Sequence, residues 1–553
     1  MSKLRWGLVP RSASARDAGL ITVVSSIAFF IGALAWPLFP GRDAQTYLMY
    51  YLEMSRADPV FPLLMLFRTP GAPLFFGPPL AVGAPVLAEL MLWICYVIAL
   101  LAVYACGSFW SRRVGVTAAV IVALYPNYNA LYHQVSSDGL FAFAVAVWTL
   151  LFCATAFEPT RKKYVGLGAF IFVLLMIRPA SLLFFAFLAL VVVVARESGA
   201  RKLRHGGIAV GVAALLVIGW AGYNKLRYDD FTVSRLAPTN VPLFRLHSID
   251  HLIKPENGPA SRSLSDAIQR DLLTREPYRS YGVTLDYFLK HGRTTMWADL
   301  APLSDRVWGW DTDYRVLRAA SREAIARHPL AYGKGVASTT MKFLTGREYP
   351  PRSPKPPSPR SIRCEITCVG EGTVIRNGRV LPAPYYPDET IPVGHSYWLE
   401  SSPDRSIATD WSDISNPRLT FKTPEMQNAF VRLSSDLHQM MLQLPPRRAI
   451  TGLPAVANVL ADLLPSMLIW LMLGLAGLFR VRRGRLIMLC LPVMALAFIG
   501  VTALGLPAHP AYRLPFDPLL ILFGVAGFFG TRSSEGKMDD RYQPSEDKEL
   551  ASG

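Results

Sequence analysis

Residues 84–110 read APVLAELMLWICYVIALLAVYACGSFW, and Glu89 is their one charged residue. An apolar run of about 20 residues crosses the roughly 30 Å hydrocarbon core of a bilayer as a helix, whereas runs of about 10–14 more often belong to buried core helices. Working outward from this stretch, nine further apolar runs stand out, near 18–37, 114–131, 139–157, 164–177, 181–196, 207–224, 454–479, 486–506 and 514–530. The runs at 164–177 and 181–196 are short and are separated by Arg178-Pro179, so they read either as a tight helical hairpin or as a partly re-entrant pair. The whole chain agrees: 52% of its 553 residues are hydrophobic and mean hydropathy is +0.28. Only 18% are charged, against about 25% in a soluble protein. The expected fold class is an α-helical polytopic membrane protein with about ten transmembrane helices.

Arginine and lysine set the orientation, because short basic loops stay on the cytoplasmic side. With the N-terminus inside, Lys3/Arg5/Arg11/Arg16, Arg112/Arg113, Arg161/Lys162/Lys163, Arg196 to Arg204 and Arg480 to Arg485 all fall in the cytoplasm. The net charge of +17 is then mainly a topological signal, and nucleic acid is not an expected partner. Ala33-Leu34-Ala35 resembles a signal-peptidase site, but the apolar run is long and more spans follow, so the first span reads as an uncleaved anchor.

Three parts and a tail emerge. Residues 1–224 form a membrane module of about seven spans with a first loop at 38–83. Residues 225–452 form an outward soluble domain of mixed character. Residues 453–530 supply three more spans, and 531–553 read as a disordered cytoplasmic tail. Within the outward part, WDTDYRVLRAASREAIARHPLAYGKGVASTTMKFL reads as helix broken at Pro329 and TPEMQNAFVRLSSDLHQMMLQL as a second helix, while PPRSPKPPSPRS reads as an extended linker and LPAPYYPDETIPVGHSYWLE as an aromatic-lined loop. Cys95, Cys106, Cys153 and Cys490 lie in spans as packing residues; Cys364 and Cys368 in CEITC form either a disulfide or two free thiols. No phosphate-cradling glycine loop and no dinucleotide fingerprint occurs, so nucleotide-driven chemistry is not suggested.

Ionisable groups at the ends of spans are costly and therefore point to function. The outward side collects four clusters: Asp43, Tyr47 and Arg68 in the first loop; His133 and Asp138 in YPNYNALYHQVSSDGL; Arg178 after the fifth span; and His509, Tyr512 and Arg513 in HPAYRLPFDPLL. A carboxylate can take a proton from an acceptor hydroxyl, and arginine holds a phosphate through planar bidentate contacts. Each also has a plain structural reading: Asp43 as a solvated loop acid, Asp138 as a helix cap beside Ser136 and Ser137, Arg68 and Arg513 as interfacial anchors, Arg178 as a helix plug, the histidines as packing. Glu89, Asp462 and Asp517 read as contacts between helices. His247, Asp250 and His251 hint at a metal without completing a ligand set.

GRDAQTYL after the first span, RTPGAPLF, YHQVSSDGLFAF, MIRPASLL, REAIARHPLAYGKGV and YRLPFDPLL resemble, in order and sidedness, segments of the GT-C glycosyltransferases that use lipid-phosphate sugars. The resemblance is to the bacterial branch related to protein O-mannosyltransferases and the lipid A aminoarabinose transferase. It implies a GT-C membrane module with an outward domain, sited in the inner or plasma membrane. It also implies inverting transfer of a sugar from a polyprenyl-phosphate donor lipid to an extracytoplasmic glycan, lipid or protein. On this reading Asp43 is the catalytic carboxylate and Asp138 a second active-site acid, with Arg68, Arg178, Tyr47, His133, Tyr512 and Arg513 as substrate-binding residues. Many relatives carry two adjacent acids in the first loop, whereas here Ala44 follows Asp43. No cofactor is assigned, and a divalent metal stays open. The competing readings are a flippase or transporter of lipid-linked saccharides and a non-catalytic assembly subunit. A transporter predicts paired halves and charges at mid-membrane, which the seven-plus-three division does not offer.

Overall fold

The computed structural model describes residue 10 and residues 13–36, 38–41, 43–235, 241–276, 278–292, 294–310, 314–346, 373–376, 379–382, 407–410, 418–444, 452–481 and 484–529. Cys364 and Cys368, the Pro-rich linker, most of the aromatic stretch at 381–400 and the tail from 531 lie outside the described residues.

The chain opens with α1 (Ala15–Ala35). Its first loop then folds into α2 (Ala44–Glu53), α3 (Pro62–Phe67) and α4 (Gly71–Ala81). There follow α5 (Pro85–Ser108), α6 (Arg112–Ala123), α7 (Pro126–Ala130), α8 (Ser137–Phe157), α9 (Arg161–Ile177), α10 (Phe184–Val194) and α11 (Gly199–Tyr228). Among the described residues seven helices are long and apolar enough to cross a membrane: α1, α5, α8, α11, and the stretches Ala455–Arg480, Arg485–Ala503 and Pro510–Phe529. The protein is an α-helical polytopic membrane protein. Seven of the ten expected runs are these helices. The run at 114–131 is bent by 62° between α6 and Pro126–His133, and counts as an eighth if the bent pair is one span. Pro126 is the cause, because it cannot donate to the preceding turn and it holds Tyr125 extended. The two short runs are α9, which opens on Arg161-Lys162-Lys163, and the apolar stretch Pro179–Val194, both below full spanning length.

Burial sorts the bundle. Most of α8 (78%) and of Pro510–Phe529 (83%) is covered by other helices, against 28% of α1 and 22% of α11. Val23, Ile27, Phe30, Ile31 and Leu34 remain exposed along one stripe of α1, a surface suited to acyl chains and not to water. The helix ends also segregate. At one end Asp17 at the start of α1 takes a bidentate contact from Arg112 at the start of α6, both at 2.6 Å. Phe157 at the end of α8 stacks on Phe109 and lies under the Arg196 guanidinium, so several of the basic loops gather there. The first loop, the start of α8, the end of α9 and the start of the last span meet at the opposite end.

Between α11 and the next apolar helix the described residues are largely helical. The expected helix broken by Pro329 is two helices, Arg315–Arg327 and Pro329–Thr345, and the second expected helix is Pro424–Leu442. Two short hairpins, Thr373–Arg376 with Arg379–Pro382 and Ile407–Asp410 with Arg418–Phe421, add strand. Buried Arg245 fastens this part to the bundle: it grips Asp250 through Nε (2.7 Å) and Nη2 (3.1 Å) and donates from Nη1 to the Thr339 hydroxyl and the Ala503 carbonyl.

Candidate functional site

Two short strands bring the first loop to the start of α8. Phe39-Pro40 pairs in parallel with Gln134-Val135. Gly41 follows, where a Cβ would stand 2.9 Å from the Gln134 Cβ and 3.0 Å from that of Ser136, so the chains approach this closely only because the residue has no side chain. The backbone then turns through Asp43, which sits in the left-handed region at φ 63° and ψ 16°. Aspartate tolerates that conformation better than most residues. Asp43 occupies the N-cap position of α2 without capping it. Its carboxylate instead meets Arg68 Nη2 at 2.8 Å.

Arg68 is delivered by the end of α3. The carbonyls of Leu66 and Phe67 just before it accept hydrogen bonds from Arg235 N (3.0 Å) and Ser234 Oγ (2.9 Å), and its guanidinium lies 5.3 Å from the Tyr47 ring centroid. The next residues start α4 at Gly71, whose Cβ would fall 2.5 Å from the Met176 carbonyl oxygen. That contact seats the first loop against the end of α9, where Arg178 stands in extended conformation before Pro179.

Arg178 and Asp138 form a second ion pair, through Nη2 and Oδ1. Ser136 is the N-cap of α8, accepting from Asp138 N, so the Asp138 carboxylate is not spent on capping. Ser137 joins the two pairs. Its hydroxyl oxygen accepts from Tyr47 OH at 2.9 Å and from Arg178 Nε at 3.0 Å. The outcome is one continuous network, Asp43–Arg68 against Tyr47, Tyr47 to Ser137, Ser137 to Arg178, Arg178 to Asp138. Exposure grades along it: 36% and 21% for the Asp43 and Arg68 side chains, 5% and 16% for Asp138 and Arg178. The first pair is therefore the more open of the two, and the second lies deeper behind it.

The remaining expected site residues lie elsewhere. His133 is fully buried, pairs with Asn129 Oδ1 through Nε2 at 3.2 Å and packs on Phe29 of α1. Arg513, expected as a phosphate ligand, is held by the protein's own oxygens. All five of its N–H donors are taken, by Asp517 (Nε at 2.8 Å, Nη2 at 3.0 Å), the carbonyls of Phe343 and Gly346, and Tyr125 OH. It locks the last span to the end of helix Pro329–Thr345. Tyr512 is half-buried, edge-on to His509, which caps its own short helix by accepting from Ala511 N. Asp517, read as a contact between helices, pairs with Arg513 at i,i+4 and also meets the Tyr125 hydroxyl just past the end of α6.

Among the described residues no group of three or more His, Cys, Asp or Glu side chains gathers to hold a metal ion. Burial holds His247 down at about 3, so it stays neutral, and Asp250 is committed to Arg245. Asp43 and Asp138 each carry an arginine, a donor set that suits an anion better than a dication. Sequence reasoning missed three contributors: Ser137 as the bridge, Ser234-Arg235 as the brace of Arg68, and Glu53. The Glu53 side chain is buried at the end of α2, accepts from Val60 N and Phe61 N, both at 2.8 Å, and is pushed up to about 7 by burial despite those donors. An acid closing the apolar run YLMYYLE was its only signal. Compared with known proteins, the chain matches no family model, no curated protein and no solved structure.

Proposed function

We propose that the protein is a membrane glycosyltransferase of the GT-C kind, moving a sugar from a polyprenyl-phosphate donor to an extracytoplasmic acceptor with inversion. The observation that carries the reading is the paired network in which Asp43 and Arg68, partly open to solvent, are backed by Asp138 and Arg178 through Tyr47 and Ser137. On this reading the donor phosphate draws Arg68 toward itself and frees the Asp43 carboxylate. The acceptor oxygen attacks the anomeric carbon as the bond from that carbon to the phosphate oxygen breaks. The phosphate leaves with the electron pair, and the acceptor proton passes to Asp43. Arg68 stabilises the charge that grows on the leaving group. Arg178 keeps Asp138 and Ser137 in place behind the pair and is not the first contact of the lipid.

The same reading takes α9, the α10 stretch and the bent α6–α7 pair as spans, ten in all, with the network facing outward from the inner or plasma membrane. Gathering of the Arg112 and Arg196 loops at the opposite end supports that sidedness. The residues after α11 would then form the outward domain and choose the acceptor.

Purified protein offered a panel of radiolabelled polyprenyl-phosphate sugars tests the proposal. Asp43→Asn is expected to lower kcat by about 100-fold or more while leaving the fold unchanged. Undiminished transfer in that variant removes Asp43 from the chemistry. No transfer from any donor, together with lipid movement in vesicles, selects the flippase instead.

A further inference from the structure

We propose that Glu53 is a positioning residue for the Asp43–Arg68 pair, closing α2 and α3 into a clasp that presents the two side chains to each other. This rests on the transferase reading for its kinetic consequence and on the geometry alone for its structural one. Helix α2 begins next to Asp43 and ends at Glu53; α3 begins after Phe61 and ends next to Arg68. The two helices are thus joined twice. At the tip Asp43 meets Arg68 at 2.8 Å. At the base the two Glu53 carboxylate oxygens accept one hydrogen bond each, from Val60 N and Phe61 N, the two residues that lead into α3.

The base is where an apolar side chain is otherwise expected. Glu53 is 1% exposed, and Phe61 beside it packs on Phe430 of helix Pro424–Leu442. Burying a carboxylate is costly unless its acceptor sites are filled. Here both oxygens are filled by amides whose positions set where α3 starts, with Arg56 Nε a further 3.5 Å away. The stretch from the end of α11 braces the same clasp at both ends: Arg227 Nη2 donates to the Arg56 carbonyl at the base, and Ser234 and Arg235 hold Phe67 and Leu66 at the tip. Loss of the Glu53 contacts lets α3 shift along α2, and Arg68 moves with it.

The test uses the full chain in lipid nanodiscs, with hydrogen–deuterium exchange read by mass spectrometry beside transfer kinetics. Glu53→Ala is expected to raise exchange in peptides covering 54–61 and also in those covering 41–48 and 66–70, at the far end of both helices. The kcat is expected to fall about 10- to 100-fold, the range for a misplacement of about 1 Å, and donor KM to rise with it because Arg68 holds the donor phosphate. Glu53→Gln keeps one acceptor and is expected to recover part of both effects; it also carries the comparison if the alanine variant fails to fold. Exchange that rises only within 54–61, with kcat unchanged, overturns the proposal. A wild-type protein that transfers no sugar sinks the transferase reading and leaves the exchange pattern to decide the clasp.

Discussion

Arg513 and Arg68 are both arginines at helix ends facing the same side of the molecule, yet their surroundings differ sharply. Arg513 is almost fully buried, with each N–H matched to an oxygen, and it supports Asp517, which has no exposure to water. Removing one partner of such a pair leaves a buried charge uncompensated and costs about 3–5 kcal/mol. Arg513→Ala is therefore expected to lose thermal stability in detergent, with a large drop in the unfolding midpoint before any assay of transfer. A variant that unfolds like the wild type but has lost donor binding returns Arg513 to the list of phosphate ligands. Arg68 keeps about a fifth of its side chain in solvent beside a carboxylate that is about a third exposed, so its environment suits exchange of one anion for another. The sequence placed both arginines at one membrane face. It could not separate them, because the difference lies in partners at Phe343, Gly346 and Tyr125, distant along the chain.

At the scale of elements, the site depends on how closely the first loop approaches its neighbours. The start of α4 sits on the end of α9, and no side chain fits between Gly71 and the Met176 carbonyl. Gly71→Ala forces one helix end to move, at about 1–3 kcal/mol by analogy with overpacked cores. It is expected to lower the unfolding midpoint modestly and to reduce transfer much more, since the displaced end carries Arg178. Measuring both in the same preparation checks this, and equal small losses in the two would mean that the approach is structural only. The helices themselves were legible: the break at Pro329 and the helix at 424–442 follow from local pattern. The divided first loop was not. Its pieces α2, α3 and α4 are 10, 6 and 11 residues long, too short to hold alone, and are kept by contacts from Glu53, Ser234 and Arg235.

For the whole molecule, the network end of the bundle faces outward on the proposed reading, and labelling checks it. Ala57 in the first loop and Arg201 at the start of α11 are both exposed, and they belong to opposite ends of the bundle. With Cys364 and Cys368 replaced by serine, a cysteine at 57 is expected to react with an impermeant maleimide in intact cells. A cysteine at 201 is expected to react only after the membrane is opened; the reverse pattern inverts the topology. The membrane class and the position of the long apolar helices followed from the sequence by itself, because hydropathy summed over one turn after another is a local property of the chain. The bend at Pro126, the join of two ion pairs through Ser137, the closure of Arg513 and the clasp at Glu53 were decided only in three dimensions. Charge pairing acts over a few ångströms between residues tens to hundreds of positions apart, and packing alone brings them within reach.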